Sequence, residues 1–352
     1  MSNEIRRGWF VGAVLLLHAA LVLIGYHPHT FIRGDGVAYA YMDVSLAQDG
    51  DLYLENNLPF PPGGRPESSL YALGRDGRLW PKHPPLLPLA AFPFYLAMGL
   101  NGLLAFNFLL LAGTMFLLSR LIPAALPLPQ GLAFASVFLL PYVFFHTYSF
   151  SPDLFLALLT AAMLWGLEKN KEGWAGAAAG LMVFLRPNYL VQILLGLVMA
   201  RRKAPFALGA VLGILPAMIY NTAAFGRPWW TGYHRVVVAS PAGPRMVSHL
   251  ELFSLDPLRF LQLFAHWDRG LLFSAPIVFP LLLALALAWR RNRRVAAFVF
   301  STWGWHLLFY ACYIPWLADH VGIRFLMPPV LLSAMGALGL GRGKNGGGAT
   351  QG

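Results

Sequence analysis

Charge is what this sequence has least of. Charged residues make up 12% of its 352 residues, while hydrophobic residues make up 57%. Soluble domains carry about 25% charged residues, so this composition excludes an ordinary soluble domain and indicates a polytopic membrane protein. The single cysteine, Cys312, lies in an apolar stretch and excludes an intrachain disulfide.

Several catalytic signatures are also missing. The sequence has no HExxH, GxSxG or P-loop pattern, which argues against a zinc protease, a serine hydrolase and an ATPase. It shows no internal repeat, although transporters are often built from two related halves.

Long apolar runs predict an all-α membrane protein with about ten transmembrane helices. Arg6 and Arg7 precede an apolar run over residues 9–26, which indicates an uncleaved signal-anchor helix that starts in the cytoplasm. Residues 84–100 are apolar but contain three internal prolines, and we predict a re-entrant or interfacial segment there. The other predicted helices cover 102–120, 131–146, 153–168, 174–185, 189–200, 205–220, 270–289, 295–313 and 325–340.

The distribution of basic residues predicts how these helices are oriented in the membrane. With both termini in the cytoplasm, 14 of the 26 basic residues and 3 of the 15 acidic residues fall inside, which leaves 12 of each outside. This agrees with the positive-inside rule. The net charge of +11 is therefore explained by topology, which removes the argument for a nucleic-acid partner.

The scheme predicts one membrane domain over residues 1–340. It has a large first outer loop at 27–83 and a second outer loop at 221–269. The Gly-rich tail at 341–352 is predicted to be disordered. We expect an inner-membrane protein of a bacterium whose active site faces the periplasm or exterior, with membrane lipids as neighbours.

The first outer loop concentrates carboxylates. Residues 35–55 hold five of the fifteen acidic residues: Asp35, Asp43, Asp49, Asp51 and Glu55. Carboxylates beside a bilayer are costly unless they face water or a functional site. The loop is therefore the first place to look for chemistry.

Asp35 precedes a predicted surface helix over residues 37–48, and Tyr39 and Asp43 follow on the same face. Asp35 has two compatible interpretations, a helix N-cap and a general base at the end of a membrane cavity. Asp49-Gly50-Asp51 is mainly typical of a helix-ending turn. No cofactor is predicted with certainty, and a divalent cation at Asp49 and Asp51 is the weaker alternative.

Four cationic or titratable side chains lie where outer loops meet apolar segments: Lys82, His83, Arg186 and Arg324. They either anchor helices at the interface or bind a phosphate, for which a guanidinium is well suited. Arg186-Pro187-Asn188 separates two short helices, which form either a tight hairpin or one broken helix. Tyr233-His234-Arg235 and residues 266–269 could stack on a sugar, but an ordinary wet loop is the favoured interpretation.

These motifs together resemble the GT-C membrane glycosyltransferases, which include protein O-mannosyltransferases and the aminoarabinose transferase of lipid A. The resemblance rests on Gly34-Asp35-Gly36, Lys82-His83-Pro84-Pro85-Leu86, Arg186-Pro187 and the later pieces Thr231-Gly232-Tyr233 and 322–325. It covers most of the chain in order. Gly36 is a departure, because many relatives carry Glu after the aspartate.

The resemblance implies a polyprenyl-phosphate sugar as donor and a lipid, glycan or protein hydroxyl as acceptor. It also implies that Asp35 is the essential aspartate, with inversion at the anomeric carbon. Lys82, His83, Arg186, Arg324, Tyr39 and Asp43 would then bind substrate. Two rival functions stay open at this point, a flippase or transporter of lipid-linked sugars and an oligosaccharide polymerase or ligase.

Overall fold

The computed structural model describes residues 3–24, 32, 35–54, 70–123, 127–147, 149–238, 245–248, 253–254, 256–266, 270–313 and 324–340. Within these ranges the protein is mostly helical. The Gly-rich tail and the motif residues 267–269 lie outside the described residues, so the predictions made for them stay untested.

Long helices form the frame. Four helices are long and apolar enough to cross a membrane, α1 (Asn3–Ile24, from Ile5), α4 (Leu100–Ser119), α10 (Lys203–Phe225) and α14 (Arg293–Cys312). A fifth span arises if α5 (Leu128–Phe138) and α6 (Pro141–Thr147), which bend by 48°, count as one. Length and composition thus support four or five spans in the part of the chain described, and the ten predicted spans stay a prediction.

The remaining helices are shorter. They are α2 (Asp35–Gln48), α3 (Leu86–Met98), α7 (Asp153–Glu168), α8 (Glu172–Leu185), α9 (Leu190–Met199), α11 (Pro257–Ala265), α12 (Leu271–Ser274), α13 (Val278–Leu287) and α15 (Met327–Leu332). Short 3-10 turns cover Pro187–Tyr189, Gly232–His234, Arg324–Leu326 and Ser333–Leu338.

Prolines break helices that hydropathy alone predicts as continuous. The predicted helix 131–146 is interrupted before Pro141, and the predicted helix 270–289 is interrupted around Pro276. Proline has no N–H for the helical ladder, and its ring disfavours helical backbone at the preceding residue. The predicted break at Arg186–Asn188 is confirmed, because Arg186 has extended backbone between α8 and α9.

Helices α8 and α9 form a hairpin rather than one broken helix. Arg202, just after α9, lies 3.9 Å from Glu172 at the start of α8. Arg294 contacts Glu168 at 3.6 Å and donates to the carbonyl of Met199, the last residue of α9. The start of α8 and the end of α9 therefore lie together, and Arg186 lies in the turn at the opposite end of the two helices.

Small residues bring α8 and α10 into direct backbone contact. Gly176 of α8 packs against the Phe206 carbonyl, and Gly209 of α10 packs against the Gly173 carbonyl. Small residues at such positions let membrane helices approach closely and gain dispersion energy. This contact fixes α8, and therefore Arg186 at its end, within the bundle.

The prediction of an all-α protein is wrong in one respect, because the two outer loops share a small sheet. Its strands are β1 (Tyr71–Leu73), β2 (Leu79–Pro81), β3 (Val236–Val238) and β4 (Arg245–Val247), in the order β2-β1-β3-β4 and antiparallel throughout. Three-residue strands are too short to show alternation in sequence. The pairing of Ala72 with Val236 joins the first outer loop to the second.

Residues predicted to be cytoplasmic come together at one end of the helices. Arg7, Arg120, Lys169 and Asn292 surround a single cavity. The grouping agrees with the predicted helix directions, since each of these residues begins or ends a different helix. That this end faces the cytoplasm stays a prediction.

Cysteine labelling tests this orientation. In a Cys312→Ser background, Arg75→Cys should react with a membrane-impermeant maleimide in intact cells, whereas Arg201→Cys should react only after lysis. Both arginines are exposed in the structure, so a difference reports sidedness rather than burial. Labelling of Arg201→Cys from outside would overturn the orientation.

Candidate functional site

Helix α2 carries the central aspartate of the site. The helix begins at Asp35, so this residue stands in the first helical turn rather than before it. The Asp35 side chain is 20% exposed, and its Oδ1 lies 3.2 Å from Nε2 of His83. Tyr39, one turn further, is fully buried, and its ring lies 5.0 Å from the His83 ring. The predicted helix is confirmed with an earlier start, but most of its residues are buried, so the prediction that it lies on the surface is wrong.

His83 links Asp35 to the second outer loop. It lies two residues after β2, and its Nδ1 lies 2.9 Å from the Tyr233 hydroxyl. Tyr233 belongs to the 3-10 turn Gly232–His234, which precedes β3. The sheet that joins the two loops therefore brings Tyr233 to His83.

Burial keeps His83 neutral. It lowers the pKa of His83 to about 4; the Asp35 carboxylate opposes this change, and the charges of Lys82 and Arg186 reinforce it. The 3.2 Å contact is therefore a polar contact of a neutral ring rather than an ion pair. A carboxylate repels an imidazole lone pair, so we assign the ring proton to Nε2, and Nδ1 accepts from Tyr233.

Lys82 precedes His83 in the chain and is also buried. Gly232 packs directly against the Lys82 backbone, where a Cβ would overlap the Lys82 Cα and carbonyl. A glycine is thus required between Thr231 and Tyr233 for the second loop to reach the first. Lys82 N also donates to the Leu70 carbonyl at 2.9 Å, which fixes the chain entering α3.

Arg186 lies at the turn between α8 and α9. Its Nη1 lies 3.2 Å from Asp153 Oδ1 at the start of α7, and it donates to the Tyr310 hydroxyl of α14 at 3.3 Å. Its Cζ lies 4.8 Å from the centre of the Phe325 ring, in a cation–π arrangement. Asp153 is held in turn by Ser151, whose hydroxyl donates to Oδ2.

The two groups of residues form one electrostatic site. The charge of Arg186 acts on both His83 and Tyr233, and Tyr39 is influenced by Asp35, Asp153 and Arg186 together. The structure therefore brings Asp35, Tyr39, Lys82, His83 and Arg186 together, and their roles in substrate binding stay a prediction. Within the described residues the buried Tyr39 hydroxyl has no hydrogen-bond partner.

Gly36 explains a departure noted in the sequence. A Cβ on Gly36 would lie 2.8 Å from the Phe150 carbonyl oxygen, too close for a side chain without a shift of backbone. A glutamate after Asp35 is thus excluded by packing. Another carboxylate near these residues is Asp153 of α7, which lies against Arg186.

Asp43 is buried away from these contacts. It lies eight residues after Asp35, about 12 Å along the helix axis. Its side chain is fully buried, and neither oxygen has a hydrogen-bond partner among the described residues. Burial raises the pKa of Asp43 to about 8. The structure gives it no contact with Asp35 or Arg186, so a substrate-binding role for Asp43 stays a prediction.

Asp49 and Asp51 end α2. Gly50 adopts a left-handed backbone (φ 72°), and its N–H bonds to the Ser45 carbonyl, as a helix-ending turn requires. Asp51 Oδ1 accepts from the Ser45 hydroxyl at 2.8 Å and from Tyr53 N at 3.0 Å. No group of three or more His, Cys, Asp or Glu that could hold a metal occurs in the described ranges.

Arg324 begins the 3-10 turn Arg324–Leu326, so its backbone adjoins Phe325, whose ring stacks on Tyr310 at 4.8 Å. Its side chain lies outside what the structure describes, and its role stays a prediction.

Two contributors were missed from sequence. Tyr233 was missed because its segment is interpreted from sequence as an ordinary solvent-exposed loop. Asp153 was missed because it is predicted only as the first residue of a helix. A carboxylate at the end of an apolar helix is itself a signal of a functional site, which could have identified Asp153.

Comparison with known proteins gives one match. The family described as glycosyltransferase family 87 matches residues 84–313. No curated protein and no solved structure matches the chain.

The isolation of Asp43 leads to a pH prediction. Its folded-state pKa of about 8 lies above the ordinary value of 3.8, so folding takes up a proton between about pH 4 and 8 and stability falls as pH rises through this window. Asp43→Asn cannot titrate. Its thermal-unfolding midpoint relative to wild type should therefore rise from pH 5 to pH 8.

The exposed Asp49→Asn serves as control and should follow the wild-type pH dependence. An Asp43→Asn midpoint that tracks wild type at every pH would show that Asp43 is ionised in the folded protein.

Proposed function

Because the chain belongs to glycosyltransferase family 87, it is a glycosyltransferase, and we propose that it moves a sugar from a polyprenyl-phosphate donor to a hydroxyl acceptor with inversion at the anomeric carbon. The acceptor is a lipid, glycan or protein hydroxyl. The observation that carries the proposal is the Asp35 carboxylate, partly exposed and held against neutral His83 beside Lys82 and Arg186.

Asp35 is the proposed general base. A base must be able to reach its substrate, and Asp35 retains 20% exposure while His83 is 4% exposed. His83 orients the carboxylate through Nε2, and Tyr233 holds the histidine through Nδ1. The partly exposed carboxylate of Asp35 is proposed to accept the proton of the acceptor hydroxyl, as oriented acid–base groups do.

The donor chemistry fits a single base. A glycosidase needs a carboxylic acid to protonate an alcohol leaving group. A polyprenyl phosphate leaves as a stable anion, so positive charge near the phosphate suffices. Lys82 and the guanidinium of Arg186 are the proposed phosphate ligands.

The step balances without any added reactant. As the acceptor oxygen attacks the anomeric carbon, its proton passes to Asp35. The bond between that carbon and the phosphate oxygen breaks, and its electron pair leaves with the polyprenyl phosphate. Asp35 then releases the proton to water. Tyr39, whose buried hydroxyl lacks a partner in the described part of the chain, is placed to hydrogen-bond a sugar hydroxyl.

The site belongs, in this proposal, on the outer face of a bacterial inner membrane. Asp35, His83, Tyr233 and the Arg186 turn lie in loops predicted to be outside. The fold is proposed to be of the GT-C type. Family membership favours transferase chemistry over a flippase, and polymerisation of oligosaccharides would be a use of the same transfer step.

Asp35→Asn tests the base. The amide is nearly the same size and can still accept from His83, but it cannot take the proton of the acceptor. Loss of a general base commonly costs about 10²–10⁴ in rate. We expect turnover of the purified variant with a radiolabelled polyprenyl-phosphate sugar to fall by that factor, with an unchanged unfolding midpoint.

The matched control is Asp49→Asn, at the exposed end of the same helix, which should retain wild-type turnover. Near-normal transfer by Asp35→Asn would remove Asp35 as the base.

Substitution of the cations tests phosphate binding. Lys82→Gln removes one charge, and Arg186→Lys keeps the charge opposite Asp153 while removing the guanidinium fork. One lost donor to developing charge commonly costs about 3 kcal/mol, near a hundredfold in rate. Each variant should therefore lower kcat/KM for the donor about a hundredfold.

Lys171→Gln, from the opposite end of the helices, should leave kcat/KM unchanged. Unchanged donor kinetics in both Lys82→Gln and Arg186→Lys would show that these cations only support the fold.

A further inference from the structure

A second polar region lies at the opposite end of the molecule from the proposed active site. Helix α7 connects the two, with Asp153 at its start and Lys169 immediately after its end. Sixteen helical residues rise about 24 Å, so the two regions are separated by roughly the thickness of a membrane core. This region takes no part in the proposed transfer.

A cavity of about 830 Å³ opens there. Its cations come from three different helix ends: Arg7 in the first turns of α1, Arg120 after α4 and Lys169 after α7. None of the described residues that line it is acidic. Glu168, which precedes Lys169 in sequence, lies 3.6 Å from Arg294. The described lining of the cavity therefore contains three cations and no acidic side chain.

Helix-end cations also stabilise the negative ends of helix dipoles, and the positive-inside rule accounts for their side of the membrane. Neither effect requires a cavity. Here Arg7 is half-buried, and its Nη2 donates to the Ile122 carbonyl at 2.9 Å, which fixes the guanidinium in the cavity wall. Arg120 lies over the Phe116 ring, with 4.9 Å between Cζ and the ring centre.

The rest of the wall is apolar. Phe116, Leu117, Leu121, Trp165 and Leu338 line the same space. A cluster of cations beside apolar and aromatic side chains matches an amphiphile with an anionic head, because the head meets the cations while its acyl chains lie along the apolar wall. A small free anion would use only the cations.

We propose that this cavity binds the phosphate headgroup of an anionic phospholipid from the inner leaflet, as a structural or regulatory lipid distinct from the sugar donor. The phosphate is held by Arg7, Arg120 and Lys169, and Trp165 packs against the glycerol and upper acyl region. The proposal does not depend on the identity of the transferred sugar or on Asp35.

Native mass spectrometry of the purified protein in a neutral detergent tests it, with phosphatidylglycerol and phosphatidylcholine as the probes. Phosphatidylglycerol should bind more tightly. Each cation at such a site is worth about fivefold in affinity, so Arg120→Gln/Lys169→Gln should weaken phosphatidylglycerol binding about 25-fold and leave phosphatidylcholine binding unchanged.

Arg201→Gln/Lys203→Gln is the matched control, because it removes two exposed cations from the same end without touching the cavity lining. It should retain wild-type affinity. If the double cavity variant fails to fold, the exposed Lys169→Gln alone should still lose about fivefold.

Three results would overturn the proposal. They are equal binding of the two lipids, equal weakening in the cavity and control variants, and displacement of phosphatidylglycerol by millimolar inorganic phosphate, which would assign the cations to a free anion.

Discussion

A guanidinium cannot be buried in an apolar molecule without an opposite charge, and this constraint organises the centre of the protein. Arg186 is 8% exposed and lies at a helix break, where Asp153 compensates its charge. Removal of one partner from such a pair typically costs 3–5 kcal/mol, since it leaves the other charge buried and uncompensated. The pair ties the α8–α9 turn to the start of α7, and Tyr310 and Phe325 pack around it.

The other half of the site depends on the sheet between the two outer loops. Its strands are three residues long, yet the pairing of Ala72 with Val236 and the contact of Gly232 with Lys82 set Tyr233 beside His83. His83 thus lies between Tyr233 and Asp35, 2.9 Å from the tyrosine hydroxyl and 3.2 Å from the carboxylate. The base and the cations are thus supplied by different parts of the chain.

Much of this arrangement could be predicted from local sequence. The rare charges of an apolar chain identified Asp35, Lys82 and Arg186, and proline identified the break at Arg186. The prediction failed where the determinant is not local. The sheet depends on pairing between residues more than 150 positions apart. Asp153 could not be predicted as the partner of Arg186 for the same reason.

The family match covers residues 84–313 and so includes Arg186, Asp153 and Tyr233 but not Asp35, Lys82 or His83. Family membership therefore establishes the class of reaction and leaves the base to be argued from geometry. The charged residues also differ between the two ends: Asp153 pairs with Arg186 at the proposed active site, whereas the described lining of the cavity at the other end contains cations and no acidic residue.

The most direct test of the account is the identity of the donor. Purified protein should be incubated in parallel with radiolabelled polyprenyl-phosphate sugars and with the corresponding nucleotide sugars, in the presence of a membrane extract as acceptor source. The account predicts transfer of label from a polyprenyl-phosphate sugar and none from a nucleotide sugar. Transfer from nucleotide sugars alone would contradict it.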